Sequence, residues 1–211
     1  MWACDISKLQ GEKPDNKDNS TEVLPFYEVK DEEDHTLMFE SRFESGNLSM
    51  AAKLSDREYN LLLQNDINTT GYTQWFFFRV GNTSKDLEVR FNILNLYKSN
   101  SLFGSGMRVV VYSMKEQKAT GKGWHREGTN LSYKRNRYSR STNSCRPCYT
   151  FSWTYRFRYE QDEVYFAYSY PYTYSDLDQF LEETVARKRF AKRTLLTKTL
   201  VGNRVDLLTI T

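Results

Sequence analysis

The chain has 211 residues, a formal charge of +3, an apolar fraction of 39% and an aromatic fraction of 15%. That length holds one domain of generous size, or one domain with appendages. So small a charge does not by itself point to nucleic acid or a membrane surface, and no apolar run approaches the roughly 20 residues that cross a bilayer. The mean hydropathy of −0.72 is polar. A core must therefore be built from Phe, Tyr and Trp, which bury much area per residue.

The first residues, Met1 to Lys8, lack a basic segment followed by an apolar one, so no secretory leader is read. Three cysteines are too few for a disulfide framework. A cytoplasmic protein is expected. The triplets Asn47-Leu-Ser49 and Asn68-Thr-Thr70 then read as chance rather than as glycan sites. Residues 1–36 are polar, with an acidic cluster at Asp31-Glu-Glu-Asp34, and read as a partly disordered tail with one short strand possible near Phe26–Val29.

From Leu37 the period becomes two. Leu37, Phe39, Ser41 and Phe43 alternate with Met38, Glu40 and Arg42, the pattern of a half-buried strand. Ser45-Gly46-Asn47 is a turn. Strands are predicted at Leu48–Leu54 and Tyr59–Gln64, and a strand buried on both faces at Tyr72–Val80. Leu87, Val89, Phe91, Ile93 and Asn95 share one face of the next strand. Arg108–Ser113 and a segment from Trp124 to Lys134, broken at Gly128, follow. Tyr149, Phe151, Trp153, Tyr155 and Phe157 alternate with polar residues and must share a face. Glu163–Ser169 closes the set. Short strands with turns every 8–12 residues predict an all-β fold, an antiparallel β-sandwich of about eight to ten strands, over residues 37–174.

After Pro171 the period turns helical. Ser175 is the expected N-cap, Asp176 and Asp178 suit the first turn, and Leu177, Phe180, Leu181, Thr184 and Val185 form an apolar stripe. One amphipathic helix is predicted within residues 175–194. A terminal β-hairpin follows over residues 195–211, turning at Gly202-Asn203. A last strand with no turn after it suggests a longer parent protein.

A catalytic zinc needs about three protein ligands. The two histidines, His35 and His125, lack an acid three residues on, and both read as solvated or strand-surface histidines. Cys145-Arg-Pro-Cys148 precedes a strand rather than a helix and reads as incidental thiols. Gly104-Ser105-Gly106 lacks the spacing of a nucleophile elbow, and no phosphate-binding loop is present. No metal ligand and no catalytic residue is assigned.

Two basic patches remain. Lys134, Arg135, Arg137, Arg140 and Arg146 form one; Arg187, Lys188, Arg189, Lys192, Arg193 and Lys198 form the other. Each could attract a polyanion or simply be a solvated face. The second patch is the expected contact for an acidic substrate or partner, through Arg187, Lys188, Arg189, Lys192 and Arg193. The run Tyr165-Phe-Ala-Tyr-Ser-Tyr-Pro-Tyr-Thr-Tyr-Ser-Asp-Leu177 joins the last strand to the helix. Its Tyr170, Pro171, Tyr172 and Tyr174 suit an interdomain interface, because amphipathic rings fit a contact that is part apolar and part wet.

Six separated motifs resemble one family in order. They are Phe43-Glu-Ser-Gly-Asn-Leu48, Tyr72–Phe78 with Val80-Gly-Asn82, Asn92–Asn95 with Lys98-Ser99 and Ser101-Leu102, Trp124–Gly128, Tyr165–Ala167 with Tyr170–Leu177, and Gly202-Asn203 with Leu208–Thr211. Together they resemble the accessory N-terminal domain of the cytosolic zinc carboxypeptidases, over roughly residues 37–211. The resemblance implies that the sandwich precedes an α/β peptidase domain that removes glutamates from protein tails, notably of tubulin. It also implies that the terminal hairpin opens that domain. The family's zinc ligands, substrate-anchoring arginine and catalytic Glu would lie downstream, with no matching position here. The chain is thus expected to be inactive alone and to bind no cofactor itself. Its expected partners are the peptidase domain and acidic tails, with neither membrane nor nucleic acid among them. The competing reading is a freestanding β-sandwich interaction module for acidic partners or microtubules. A weaker third is an aromatic carbohydrate- or nucleic-acid-binding sandwich.

Overall fold

The structure is a computed structural model describing residues 29–31, 33–66, 69, 72–139 and 147–211. Two compact units meet in the chain between Tyr170 and Pro171. The first is a sandwich of two five-stranded sheets. One sheet runs in the order β1 (Met38–Glu40), β4 (Phe77–Gly81), β10 (Val164–Ala167), β6 (Val109–Ser113) and β7 (His125–Glu127). The other runs β2 (Leu48–Ser55), β3 (Glu58–Leu63), β5 (Glu88–Leu96), β9 (Pro147–Arg156) and β8 (Thr129–Ser139). Neighbours are antiparallel except β3 and β5. Those two are parallel because β4, between them in the chain, belongs to the opposite sheet.

Alternation along each strand sends one row of side chains between the sheets. From β9 these are Phe151, Trp153 and Tyr155, and from β5 Val89, Phe91 and Ile93. They meet Phe78 and Val80 of β4, Val164 and Phe166 of β10, and Val109 and Val111 of β6. Trp153 is the hub. Its ring centroid lies 5.0 Å from Phe151, 5.4 Å from Phe91, and 6.0 Å from both Phe76 and Phe166. Gly128 approaches this hub so closely that an added Cβ would lie 3.4 Å from the indole, and its φ of +111° favours glycine as well.

The two outer faces differ. Over β5 and β9 the face is polar: Asn92 donates to Glu58 (2.9 Å) and Asn60 (3.1 Å), and Ser152 donates to Asn92 (2.6 Å). Over β4, β10 and β6 it is aromatic. Phe77, Val110 and Ala167 are buried beneath Phe43, Trp75, Trp124 and Tyr165.

The Tyr72–Val80 expectation holds only in part, because the ladder begins at Phe77. Before it, Asn47 takes the place of a neighbouring strand: its Nδ2 donates to the Trp75 carbonyl (2.7 Å) and its Oδ1 accepts from the Phe77 N–H (3.0 Å). A helix that was not expected, α1 (Met114–Thr120), follows β6. It is capped by Ser113, whose side chain accepts from the Glu116 N–H, and by left-handed Gly121. The possible strand near Phe26–Val29 falls almost wholly outside the described residues.

The second unit holds α2 (Tyr174–Arg187) and a hairpin of β11 (Ala191–Lys198) and β12 (Arg204–Ile210). The N-cap is Thr173 rather than the expected Ser175. Thr173 and Asp176 form a reciprocal capping box, which satisfies two orphan donors at once. The helix also stops earlier than expected, with Lys188 extended as its C-cap, and the strand begins at Ala191 instead of Leu195.

The indole N–H of Trp153 has no hydrogen-bond partner among the described residues. Trp153→Phe should therefore cost under about 1.5 kcal/mol, since it keeps a ring and removes an unsatisfied donor. Trp153→Ala should cost about 3–5 kcal/mol. Urea denaturation of both variants checks the contrast.

Candidate functional site

A cluster of ionisable groups lies where α1 meets β7. Helix α1 supplies Glu116, whose side chain is only 9% exposed. Strand β7 supplies His125 and Glu127, two residues apart and so on one side of the strand. Nε2 of His125 lies 2.9 Å from Glu127 Oε2 and 3.8 Å from Glu116 Oε2. Nδ1 faces the Gly123 carbonyl at 2.9 Å. Arg158 grips Glu127 with both terminal nitrogens and lies 3.6 Å from Glu116 Oε2. Lys122 reaches the other Glu116 oxygen at 3.3 Å.

Donor atoms of Glu116, His125 and Glu127 all fall within 4.8 Å of one another, close enough to consider a cation. The surroundings do not fit one. Arg158 and Lys122 already balance the two carboxylates, so a divalent ion would enter a site with no net negative charge. The cluster reads as an ion-pair network that fastens α1 to β7. His125 is thus no plain strand-surface histidine. A His-x-x-Glu spacing would place an acid three residues on, whereas the fold brings acids to His125 from two residues on and nine residues back.

Electrostatics follow from this packing. Burial pushes the Glu127 carboxyl up, but hydrogen bonds from Arg158 and His125 outweigh it, and its value lies below the ordinary 4.5. The same Glu127 contact holds the Arg158 guanidinium above its ordinary value. Burial, then the nearby Glu127 charge, pushes the Tyr155 phenol up. A surface cavity of about 600 Å³ lies elsewhere, lined by Phe39, Glu40, Arg42, Phe43 and Gln64 among others. Of the two acids that line it, Glu40 and Glu44, Glu40 is taken: hydrogen bonds from Arg42 hold its carboxyl down at about 2. Neither site presents an activated nucleophile.

The residues expected to meet acidic partners are placed as follows. Lys188, Arg189 and Lys192 are exposed, and Arg187 ends α2. Arg193 differs from expectation. Its guanidinium donates to both Asp178 of α2 and Asp206 of β12, and its side chain is 13% exposed. It clamps helix to hairpin instead of facing solvent, because β11 starts early enough to turn it between those acids. The Asp206 and Asp178 bonds raise the Arg193 guanidinium above its ordinary value. Of the tyrosines, Tyr170 is 54% and Tyr172 65% exposed. Pro171 is half-buried, and the Tyr174 hydroxyl accepts from the Arg204 N–H at 3.2 Å. Cys148 is buried in β9, while Cys4, Cys145, Arg140 and Arg146 lie outside the described residues.

Arg158→Met should cost about 1–2 kcal/mol, discounted for the 42% exposure of that side chain. Because the Glu127 value is depressed on folding, the folded chain binds fewer protons. The stability Glu127 contributes is complete above 4.5 and is lost as pH falls below it. The variant should lose less on acidification than the parent does, which thermal melts between pH 3 and pH 7 would read.

The family described as the cytosolic carboxypeptidase N-terminal domain matches residues 39–169. Cytosolic carboxypeptidase 2 of Homo sapiens is 44% identical over 182 residues, covering 85% of this chain and 20% of that protein. Cytosolic carboxypeptidase 1 of Mus musculus is 39% identical over 203 residues, covering 92% and 16%. The chain thus spans about a fifth of the length of such relatives. A metallo-carboxypeptidase from Burkholderia cenocepacia shares the fold with a TM-score of 0.59 at 18% identity, over 83% of this chain and 40% of that one. No helix among the described residues is long and apolar enough to cross a membrane. With the family match spanning the sandwich from β1 to β10, the chain belongs to the cytosolic carboxypeptidases and carries their N-terminal domain.

Proposed function

We propose that this chain is the non-catalytic N-terminal part of a cytoplasmic metallocarboxypeptidase that removes glutamates from protein tails such as those of tubulin. In that reading a downstream peptidase domain holds the zinc, and the sandwich packs on it and shapes its entrance. The observation that carries the reading is the bareness of the hairpin. Leu195, Leu196, Leu207 and Ile210 are 47%, 65%, 49% and 67% exposed, and they lie on two strands only. A two-stranded sheet is marginal in water, and apolar side chains on it call for further strands. A peptidase sheet beginning with this hairpin would supply them. Zinc in that domain would polarise the scissile carbonyl. This chain's own task is to bind and position.

The exposed rings of Tyr170 and Tyr172, and Pro171 between them in sequence, are amphipathic side chains suited to interdomain packing. Arg187, Lys188, Arg189 and Lys192 provide positive charge for acidic tails. Arg193 is left out of that set because Asp178 and Asp206 already neutralise it. No ion pair engages Lys188, Arg189 or Lys192 among the described residues, so their field is uncompensated nearby.

Residues 1–211 with added zinc should release no glutamate from a polyglutamate peptide above background; turnover would refute the non-catalytic reading. The same chain should bind that peptide more weakly as salt rises. Reversing Lys188, Arg189 and Lys192 to Glu should weaken the component mapped to the second unit about tenfold, or ~1.4 kcal/mol. An unchanged affinity there would remove the helix end from the proposal.

A further inference from the structure

Strand β8 lies at the edge of its sheet, with β9 on one side and no strand on the other among the described residues. It is eleven residues long, and Lys134, Arg135, Arg137 and Tyr138 on it are exposed. No Asp or Glu occurs anywhere from Gly128 to Tyr159. The cross-strand neighbours of Lys134, Arg135 and Ser139 are Thr150, Tyr149 and Pro147, all uncharged. None of the three cations has an ion pair among the described residues. Arg137 instead lies 5.6 Å from the Tyr138 ring centroid. This is a stripe of uncompensated positive charge along a sheet edge that no strand pairs among the described residues, with the 3-10 turn Leu102–Ser105 packed beside Tyr133.

The edge is also held rigid. The Tyr133 and Tyr149 rings stack at 5.6 Å, with an angle of 5° between them. Asn136 Nδ2 donates to the Leu94 carbonyl and the Thr150 hydroxyl, each at 2.8 Å, and its Oδ1 accepts from the Tyr138 N–H at 2.9 Å. Register shifts fall on either side, between Thr129 and Ser132 and between Arg135 and Ser139. Ser132–Arg135 remains regular between them, long enough for a short added strand. A rigid strand loses little freedom when a partner docks on it.

We propose that the β8 edge takes up an extended, carboxylate-rich peptide, which adds a strand beside Ser132–Arg135 and sets its acids against Lys134, Arg135 and Arg137. Cations along an edge strand ordinarily prevent pairing between like copies. The same charges invert for an acidic strand, for which repulsion becomes attraction while the backbone edge supplies N–H and C=O partners. Nucleic acid fits less well. Its phosphates cannot use a peptide ladder, and three cations fall short of the six to ten phosphate contacts typical of tight binders, about one salt-dependent increment each. The proposal does not depend on a peptidase domain, and its site is distinct from the cations around Lys188.

The test is amide mapping on the 15N-labelled 211-residue chain with a capped octaglutamate peptide, octaglutamine and a thymidine octamer. Octaglutamate should shift the Ser132–Arg135 amides and slow their exchange, octaglutamine should not, and the oligonucleotide should bind more weakly. Lys134→Glu with Arg135→Glu and Arg137→Glu should weaken that shift series about tenfold and leave the shifts around Lys188 unchanged. No response in β8, shifts without slowed exchange, or equal binding of the oligonucleotide would each overturn the proposal. Should the triple variant fail to fold, the exchange pattern of the unaltered chain decides it.

Discussion

Aromatic interdigitation between the two sheets is the constraint on which the rest depends. Trp153 touches rings from β5, β9 and β10 and from the segment ahead of β4, and nearly every inward position of those strands is apolar. A ring of that size buries about 150–250 Å², worth roughly 4–6 kcal/mol at about 25 cal/mol per Å² before entropy is counted. A chain with a mean hydropathy of −0.72 can hold two sheets together only by concentrating its apolar area in this way. Once the sheets are locked, the outward rows are fixed too. One becomes a polar amide and hydroxyl face around Asn92, and the other an aromatic layer around Phe77.

Charge is arranged on the same frame. In two networks bases meet acids that are partly or wholly buried: Arg158 and Lys122 on Glu116 and Glu127, and Arg193 on Asp178 and Asp206; buried Asp162 is held instead by the Ser113 hydroxyl and the Lys115 N–H. These pairs fix local geometry and leave little field outside. Among the described residues, clusters of cations without an ion pair lie on β8 and around the end of α2, and these are surfaces from which an acidic partner would be felt.

Much of the sandwich was legible in the sequence because period-two alternation with large rings has few other meanings. The Tyr149–Phe157 series identified β9 and its inward face directly. The resemblance that points to the family is carried by six motifs in order, the segment Tyr165–Leu177 among them. Helix α1 was not legible: at seven residues it has no apolar stripe, and its signal is only Ser113 before it and Gly121 after it. The Glu116–His125–Glu127 network was missed because its members are joined by packing across α1 and β7, not by a ligand spacing. Arg193 was misread for a related reason, since a cation in a basic run gives no sign of which acids the turn of the chain will bring to it.

We propose that this chain serves as scaffold and recognition surface and performs no metal chemistry of its own. The most direct measurement is the zinc content of the purified 211-residue chain after dialysis against micromolar zinc and then metal-free buffer. We expect far less than one equivalent, with the His125 ring resonances unchanged by zinc. One tightly retained ion per chain, lost on His125→Ala, would contradict it.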